Sequence, residues 1–175
     1  MAICTAFQIL PGLPGEGTLP LQFSASGQGM HREGYVVSFR PSPADSWVGN
    51  FQPGLSSYYE VIPHETHLVV VAGGQAYVVD PHAKQVVACF GGQIQLAQPL
   101  AEGLLVSNGL WFDLLAGTNL KWRSKRVSWD GLRNTSIHAE LVSGEGWRYD
   151  NSWHSFSIRI SDGATSGGAY DGPEP

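Results

Sequence analysis

A chain of 175 residues with 14% Asp, Glu, Lys and Arg, 22 glycines and 11% aromatics falls well short of the usual charged fraction of about 25%, and it is long enough to bury a core without disulfides or metals. Its net charge of -5 argues against general nucleic-acid binding, which needs a basic face; it allows an acidic face that attracts a basic partner, and equally fits what solubility alone selects. No run approaches the ~18 apolar residues of a membrane span, and the opening MAICTAFQILPGLPGEG lacks a basic leader, so a cytoplasmic soluble chain with no membrane partner is expected.

The charge is uneven: residues 1–120 hold three basic and eight acidic residues, residues 121–175 seven of each. Cys4 and Cys89 lie in apolar flanks, far apart and without metal-site spacing, and read as reduced packing residues. Neither a cofactor nor a resident metal is expected.

Apolar residues alternate or run in short blocks bounded by Gly, Pro, Asn and Asp, the pattern of an all-β fold. CTAFQIL, LPLQFSAS and GYVVSFRP predict a three-stranded N-terminal layer over about residues 1–45. The Pro- and Ser-rich PSPADSWVGNFQPGLSS, about residues 41–57, predicts a long loop carrying Trp47, Asn50 and Phe51. A hairpin meander then fills about residues 58–170 of what reads as one β domain spanning 1–175.

HLVVVAGGQAYVVD and QVVACF, joined at Asp80-Pro81, predict a strand pair covered on both faces. LLVSNGLWFDLL carries Asn108-Gly109, a hairpin signal that sets Ser107 opposite Leu110, Val106 opposite Trp111 and Leu105 opposite Phe112. In TSIHAELVSGEGWRYD a loop at Ser143-Gly144-Glu145 would place Leu141 opposite Trp147 and Ala139 opposite Tyr149, making both aromatics core residues. WHSFSIRIS puts Phe156, Ile158 and Ile160 inward and Trp153 and Arg159 outward.

AGGQAYVVD, SNGLWFDLL and SGEGWRYD form a weak propeller-blade-like repeat. A propeller needs about four blades of four strands, so the expected architecture is an antiparallel meander curling into a sandwich or incomplete barrel. Trp129-Asp130, ahead of Gly131, lacks the Gly-His partner of a WD repeat and reads as a turn.

Recognisable catalytic motifs are scarce. PHETH sets His64 and His67 three apart rather than at the metalloprotease spacing, and reads as an exposed turn. GGQ occurs at 73–75 and 91–93, where Gly-Gly before a strand is ordinary turn chemistry. Ser128 with His138 or His154 satisfies a triad by residue type alone, and Asp130 with Glu145 satisfies a glycosidase pair only in the same sense. KWRSKR, 121–126, could contact phosphate or stack on a base through Trp122, but Lys121, Arg123 and Lys125 alternate against Trp122 and Arg126, as a charged strand edge does.

The segments SWVGNFQPG, VVVAGGQAYVVDP, KRVSWDGLRN, GEGW and SFSIRISDGATSGGAY resemble those of small bacterial all-β proteins found as immunity partners of secreted or contact-dependent toxins. The resemblance covers most of residues 46–170 and implies a non-enzymatic, cytoplasmic partner of a cognate toxin domain in interbacterial competition. Large aromatics and Arg are the expected anchors of such an interface. The candidate surface is Trp47, Asn50 and Phe51 with Trp129, Asp130, Arg133, Asp150 and Trp153; Trp153 has the strongest claim to exposure because the opposite face of its strand is apolar. The competing class is a hydrolytic or small-ligand-binding β protein with a Trp-lined pocket in which His64, His67 and Asp130 converge.

Overall fold

The computed structural model describes residues 6–17, 19–29 and 32–173. Among the described residues the regular structure is entirely β: 16 strands in four four-stranded sheets, none closed into a barrel. Among the described residues no helix is long and apolar enough to cross a membrane. The chain divides into two compact units, residues 1–94 and 95–175, where the sequence reads as a single domain.

The first unit begins with β1 (Ala6–Ile9), β2 (Leu21–Phe23), β3 (Tyr35–Ser42) and β4 (Asp45–Phe51), in the order β1-β3-β4-β2. Cys4, at the start of the first expected strand, lies outside the described residues. β2 runs parallel to β4; the other pairings here are antiparallel. The expected loop over 41–57 is therefore a strand for most of its length. Pro43-Ala44 make a tight turn between Ser42 and Asp45, and Trp47, Gly49 and Phe51 alternate along one side of β4. Gly49 is small because the Phe51 and Trp47 rings occupy the space beside it: an added Cβ would lie 2.6 Å from Phe51 Cε2.

β5 (Glu60–His64), β6 (His67–Ala72), β7 (Gln75–Asp80) and β8 (Gln85–Gly91) form an up-and-down sheet in chain order. β6 and β7 are central, and Leu68 to Ala72 and Ala76 to Val79 are buried on both faces, as their unbroken apolar runs predict. One face packs Leu68, Val70, Tyr77 and Val79 on Val37, Phe39, Trp47 and Phe51 of the first sheet. The Asp80-Pro81 turn is closed by Asp80 Oδ1, which accepts the His82 and Ala83 N–H groups at 2.9 Å. Cys89 stands exposed on the edge strand β8 rather than serving as a packing residue.

The second unit repeats this plan. β9 (Leu96–Leu100), β10 (Gly103–Ser107), β11 (Phe112–Ala116) and β12 (Asn119–Arg123) form one meander, and β13 (Leu132–His138), β14 (Leu141–Trp147), β15 (Trp153–Arg159) and β16 (Thr165–Gly167) the other. Leu105, Phe112 and Leu114 of the former pack on Val142, Phe156, Ile158 and Ile160 of the latter around Val127. Each unit is thus two sheets face to face, a sandwich.

Two hairpins differ from the expected register. Ser107 pairs with Phe112 and Leu105 with Leu114, so the loop spans Asn108 to Trp111. Asn108 keeps a negative φ, and its Oδ1 accepts the Leu110 and Trp111 N–H groups, an Asx turn in place of a two-residue turn. In the last sheet the turn lies at Ala139-Glu140, with Ala139 at φ 50°, and Ser143 to Glu145 continue β14. Its glycines make room instead of turning: a Cβ at Gly144 would meet Phe156 Cζ at 2.9 Å, and one at Gly146 would overlap the Val127 carbonyl oxygen. Trp147 then pairs with Trp153 and Tyr149 is 60% exposed, so neither takes the expected core position. The weak repeat follows sheet periodicity, since Gly73-Gly74 and Asn108-Gly109 both join the second and third strands of a sheet, while GEGW lies inside a second strand.

Candidate functional site

The eight residues of the expected surface separate into two sets. Trp47, Asn50 and Phe51 belong to the interior of the first unit, at 5%, 0% and 0% exposure, which corrects their assignment to an exposed loop. Trp47 stacks on Phe39 with centroids 4.3 Å apart, and its Nε1 donates to Pro81 O at 2.9 Å. Asn50 ties the N-terminal segment down: its Oδ1 accepts Gly34 N at 2.8 Å and its Nδ2 donates to Gln22 Oε1 at 2.7 Å. These are satisfied buried polar groups.

The remaining five gather in the second unit, around the outer face of β13–β15 and the turn that precedes it. Arg133 on β13 lies opposite Glu145 on β14. Its Nε and Nη2 donate to the two Glu145 oxygens at 3.0 and 3.3 Å, and Asn134 Nδ2 adds a third bond at 2.8 Å. Arg133 also covers the Trp153 ring, Cζ 4.3 Å from the centroid. The Arg133 guanidinium, then Asn134, hold the Glu145 carboxyl below its ordinary range. Trp147 lies directly opposite Trp153, so two indoles, a guanidinium and a carboxylate occupy neighbouring positions on one side of the sheet.

Trp129 stands in the turn before β13, set by Ser128. That fully buried hydroxyl donates to Gly131 O at 2.5 Å and accepts Asp130 N and Trp147 N, each at 3.1 Å. Gly131 has φ 91° and completes the turn. Trp129 N donates to Trp147 O, joining the turn to β14. The indole meets Tyr149 edge-on at 5.8 Å and Tyr170 at 4.7 Å. Arg126 lies over Tyr170 at 4.4 Å, Arg148 lies over Tyr149 at 5.2 Å, and Asp171 joins Trp129 Nε1 at 3.1 Å to Arg148. Asp150 accepts bonds from the Ser152 hydroxyl and backbone N–H, which hold its carboxyl below the ordinary value with help from Arg148.

Tyr149, Tyr170, Arg126, Arg148, Asp171 and Glu145 are additions to the expected set. One signal for them is legible: three of the four aromatic-Asp pairs, Trp129-Asp130, Tyr149-Asp150 and Tyr170-Asp171, recur at intervals of 20 and 21 residues, and the fold brings their three rings together; the fourth, Phe112-Asp113, sets its ring against Phe156 in the core.

Several of the candidate residues for catalysis are held in structural contacts. Ser128 is a buried hub of backbone hydrogen bonds. His154 Nε2 does meet Ser152 Oγ at 2.8 Å, but that hydroxyl also bonds Asp150, so the hydroxyl lies between carboxylate and imidazole. In a nucleophilic triad the imidazole lies between the other two. Glu145, held below its ordinary range, is the reverse of a general acid with a raised pKa. Partial desolvation pushes the Cys89 thiol up, away from the thiolate a nucleophile needs.

His64 and His67 face each other across the β5–β6 turn; His64 is 7% exposed, not the solvated turn residue expected, and its Nε2 has no hydrogen-bond partner among the described residues. Among the described residues no three His, Cys, Asp or Glu gather to hold a metal. Both GGQ tripeptides lie in one backbone network: Gly92 N donates to Gly74 O, Ser56 N to Gly73 O, and Gln75 Nε2 to Phe90 O. In KWRSKR, Lys121, Arg123 and Lys125 are exposed while Trp122 turns in and donates to Ile160 O at 2.7 Å. β12 is an edge strand, as this charge pattern predicts. Neither a protein-family model nor a curated protein matches the chain.

Proposed function

We propose that this chain is a non-enzymatic protein-binding β domain that binds through the outer face of β13–β15 and the adjoining Trp129 turn. The observation that carries the reading is the placement of Arg133 between Trp153 and the Glu145 carboxylate on an accessible face. Interfaces draw most of their energy from a few Trp, Tyr and Arg residues, and anchors already held in place lose little conformational freedom on binding. Here Arg133 is fixed from two sides before a partner arrives, and Trp129 is fixed by its backbone bond to Trp147 O, by the Ser128 turn and by Tyr149.

At the finer level the reading is an immunity-type inhibitor, a cytoplasmic protein that neutralises a bacterial toxin by direct binding. The net charge of -5 supports capture of a basic toxin, chiefly by raising the association rate. The test is whether a neighbouring gene encodes a toxin domain, whether the chain co-purifies with that domain, and whether it protects cells that express it. The complex should survive gel filtration with the full-length chain and weaken with Trp153→Ala. A chain that neither binds the neighbouring toxin nor protects against it overturns the immunity reading.

A further inference from the structure

The C-terminal segment behaves as two parts. Through Ala169 it belongs to the fold: Gly168 N donates to Ser155 O, Ala169 N donates to Val127 O, and Ala169 is 3% exposed. From Tyr170 onward side chains make the attachment. The Tyr170 ring packs against Trp129 at a tilt of 53° and lies under the Arg126 guanidinium, and the Asp171 carboxylate takes one hydrogen bond from Trp129 Nε1 and an ion pair from Arg148.

The groups that receive this dipeptide are held by other parts of the chain. Arg126 is fixed by bonds from its Nε to Ser128 O and its Nη2 to Trp129 O, both at 2.8 Å. Trp129 is fixed by the Ser128 turn, and Arg148 follows β14 directly and lies against Tyr149. The receiving surface therefore offers a flat aromatic face under a cation, with an indole N–H and a guanidinium converging beside it. That combination selects an aromatic side chain followed by a carboxylate.

We propose that Arg126, Trp129 and Arg148 form a receptor for an exposed aromatic-acidic segment of the partner protein, and that the chain's own Tyr170-Asp171 fills it until that segment displaces it. The proposal rests on the protein-binding reading and names the chemistry the partner must present. A segment tethered at Ala169 competes at an effective concentration of millimolar order. A free peptide of the same chemistry should consequently bind poorly to the intact chain and well to one in which Tyr170 and Asp171 are altered.

The test uses the full chain, as wild type and as Tyr170→Ala/Asp171→Ala, titrated with the acetylated peptide Ala-Tyr-Asp-Gly-Pro and followed by tryptophan fluorescence and calorimetry. The double variant should bind saturably and about tenfold or more tighter than wild type, and Asn for Asp in the peptide should cost about tenfold, the loss of a charge-assisted bond. Asp171→Asn alone, which keeps the Tyr170 ring, should give an intermediate gain and serves if the double variant folds poorly by circular dichroism. The proposal is overturned if folded variants show no saturable binding at millimolar peptide, or bind the Asp and Asn peptides equally. Toxin binding without peptide binding defeats this inference and leaves the protein-binding reading standing; peptide binding without a toxin complex defeats the immunity reading.

Discussion

Replacing Ser128 with Ala separates a structural serine from a catalytic one. The hydroxyl is wholly buried, donates to Gly131 O and accepts from Asp130 N and Trp147 N. Without it, Trp147 N keeps an alternative acceptor in Gly131 O at 3.2 Å, so the principal loss falls on Asp130 N. One backbone donor stripped of its partner beside a buried site costs about 1–3 kcal/mol, and a value near 2 kcal/mol follows once the lost hydroxyl donation is included. Urea unfolding monitored by tryptophan fluorescence measures this as a lower midpoint at unchanged slope. Binding should weaken modestly, because Trp129 N still donates to Trp147 O. A Ser128→Ala chain within about 0.3 kcal/mol of wild type, inside the range of an ordinary surface substitution, would refute the hub role; loss of a measured hydrolytic activity at unchanged stability would favour the enzyme class.

Three further outcomes follow from the geometry. Asn50→Ala leaves Gly34 N and Gln22 Oε1 without their buried partner and should destabilise the first unit by about 2–4 kcal/mol, while partner affinity measured by calorimetry stays unchanged; an affinity loss in a fully folded Asn50→Ala chain would return that residue to the binding surface. Gly146→Ala forces a methyl against the Val127 carbonyl and should cost about 1–3 kcal/mol by overpacking, with a shifted Trp129 emission reporting displacement of the adjoining turn. The third concerns acid. Glu145 and Asp150 both have folded pKa values below ordinary, so their contribution is complete above the usual carboxylate range near pH ~4 and disappears as pH falls through the folded values. Denaturation midpoints measured from pH 7 down to 3 should fall below about pH 4, and Glu145→Gln should remove part of that acid dependence while leaving the rest.

Strand content was legible because unbroken apolar runs, period-2 alternation and Gly or Pro punctuation are local signals: the runs give Leu68–Ala72 and Ala76–Val79, and the alternation of Phe156 and Ile158 gives β15. The errors arose where one residue type serves two purposes. Glycine reads as a turn, yet Gly144 and Gly146 are in mid-strand because Phe156 and the Val127 backbone take up the space a side chain would need. Proline reads as a loop, yet Pro43 tightens a hairpin and leaves Trp47 to Phe51 in the sheet. The site was partly legible for the same reason. Arg133 and Trp153 face outward on alternating strands, whereas the contacts of Tyr170 and Asp171 with Trp129 span 41 and 42 residues and depend on the packed fold. The recurring aromatic-Asp pairs were the available hint of that long-range cluster.

The most direct measurement of the central claim is the affinity of the purified chain for the proposed partner, a toxin domain encoded by a neighbouring gene, compared between wild type and Arg133→Ala/Trp153→Ala by calorimetry, with unfolding midpoints recorded on the same samples. Removing a paired Arg and Trp anchor should weaken binding by at least about 2 kcal/mol, some thirtyfold or more, in a chain that remains folded. Equal affinity for the two proteins would contradict the assignment of this face as the binding surface.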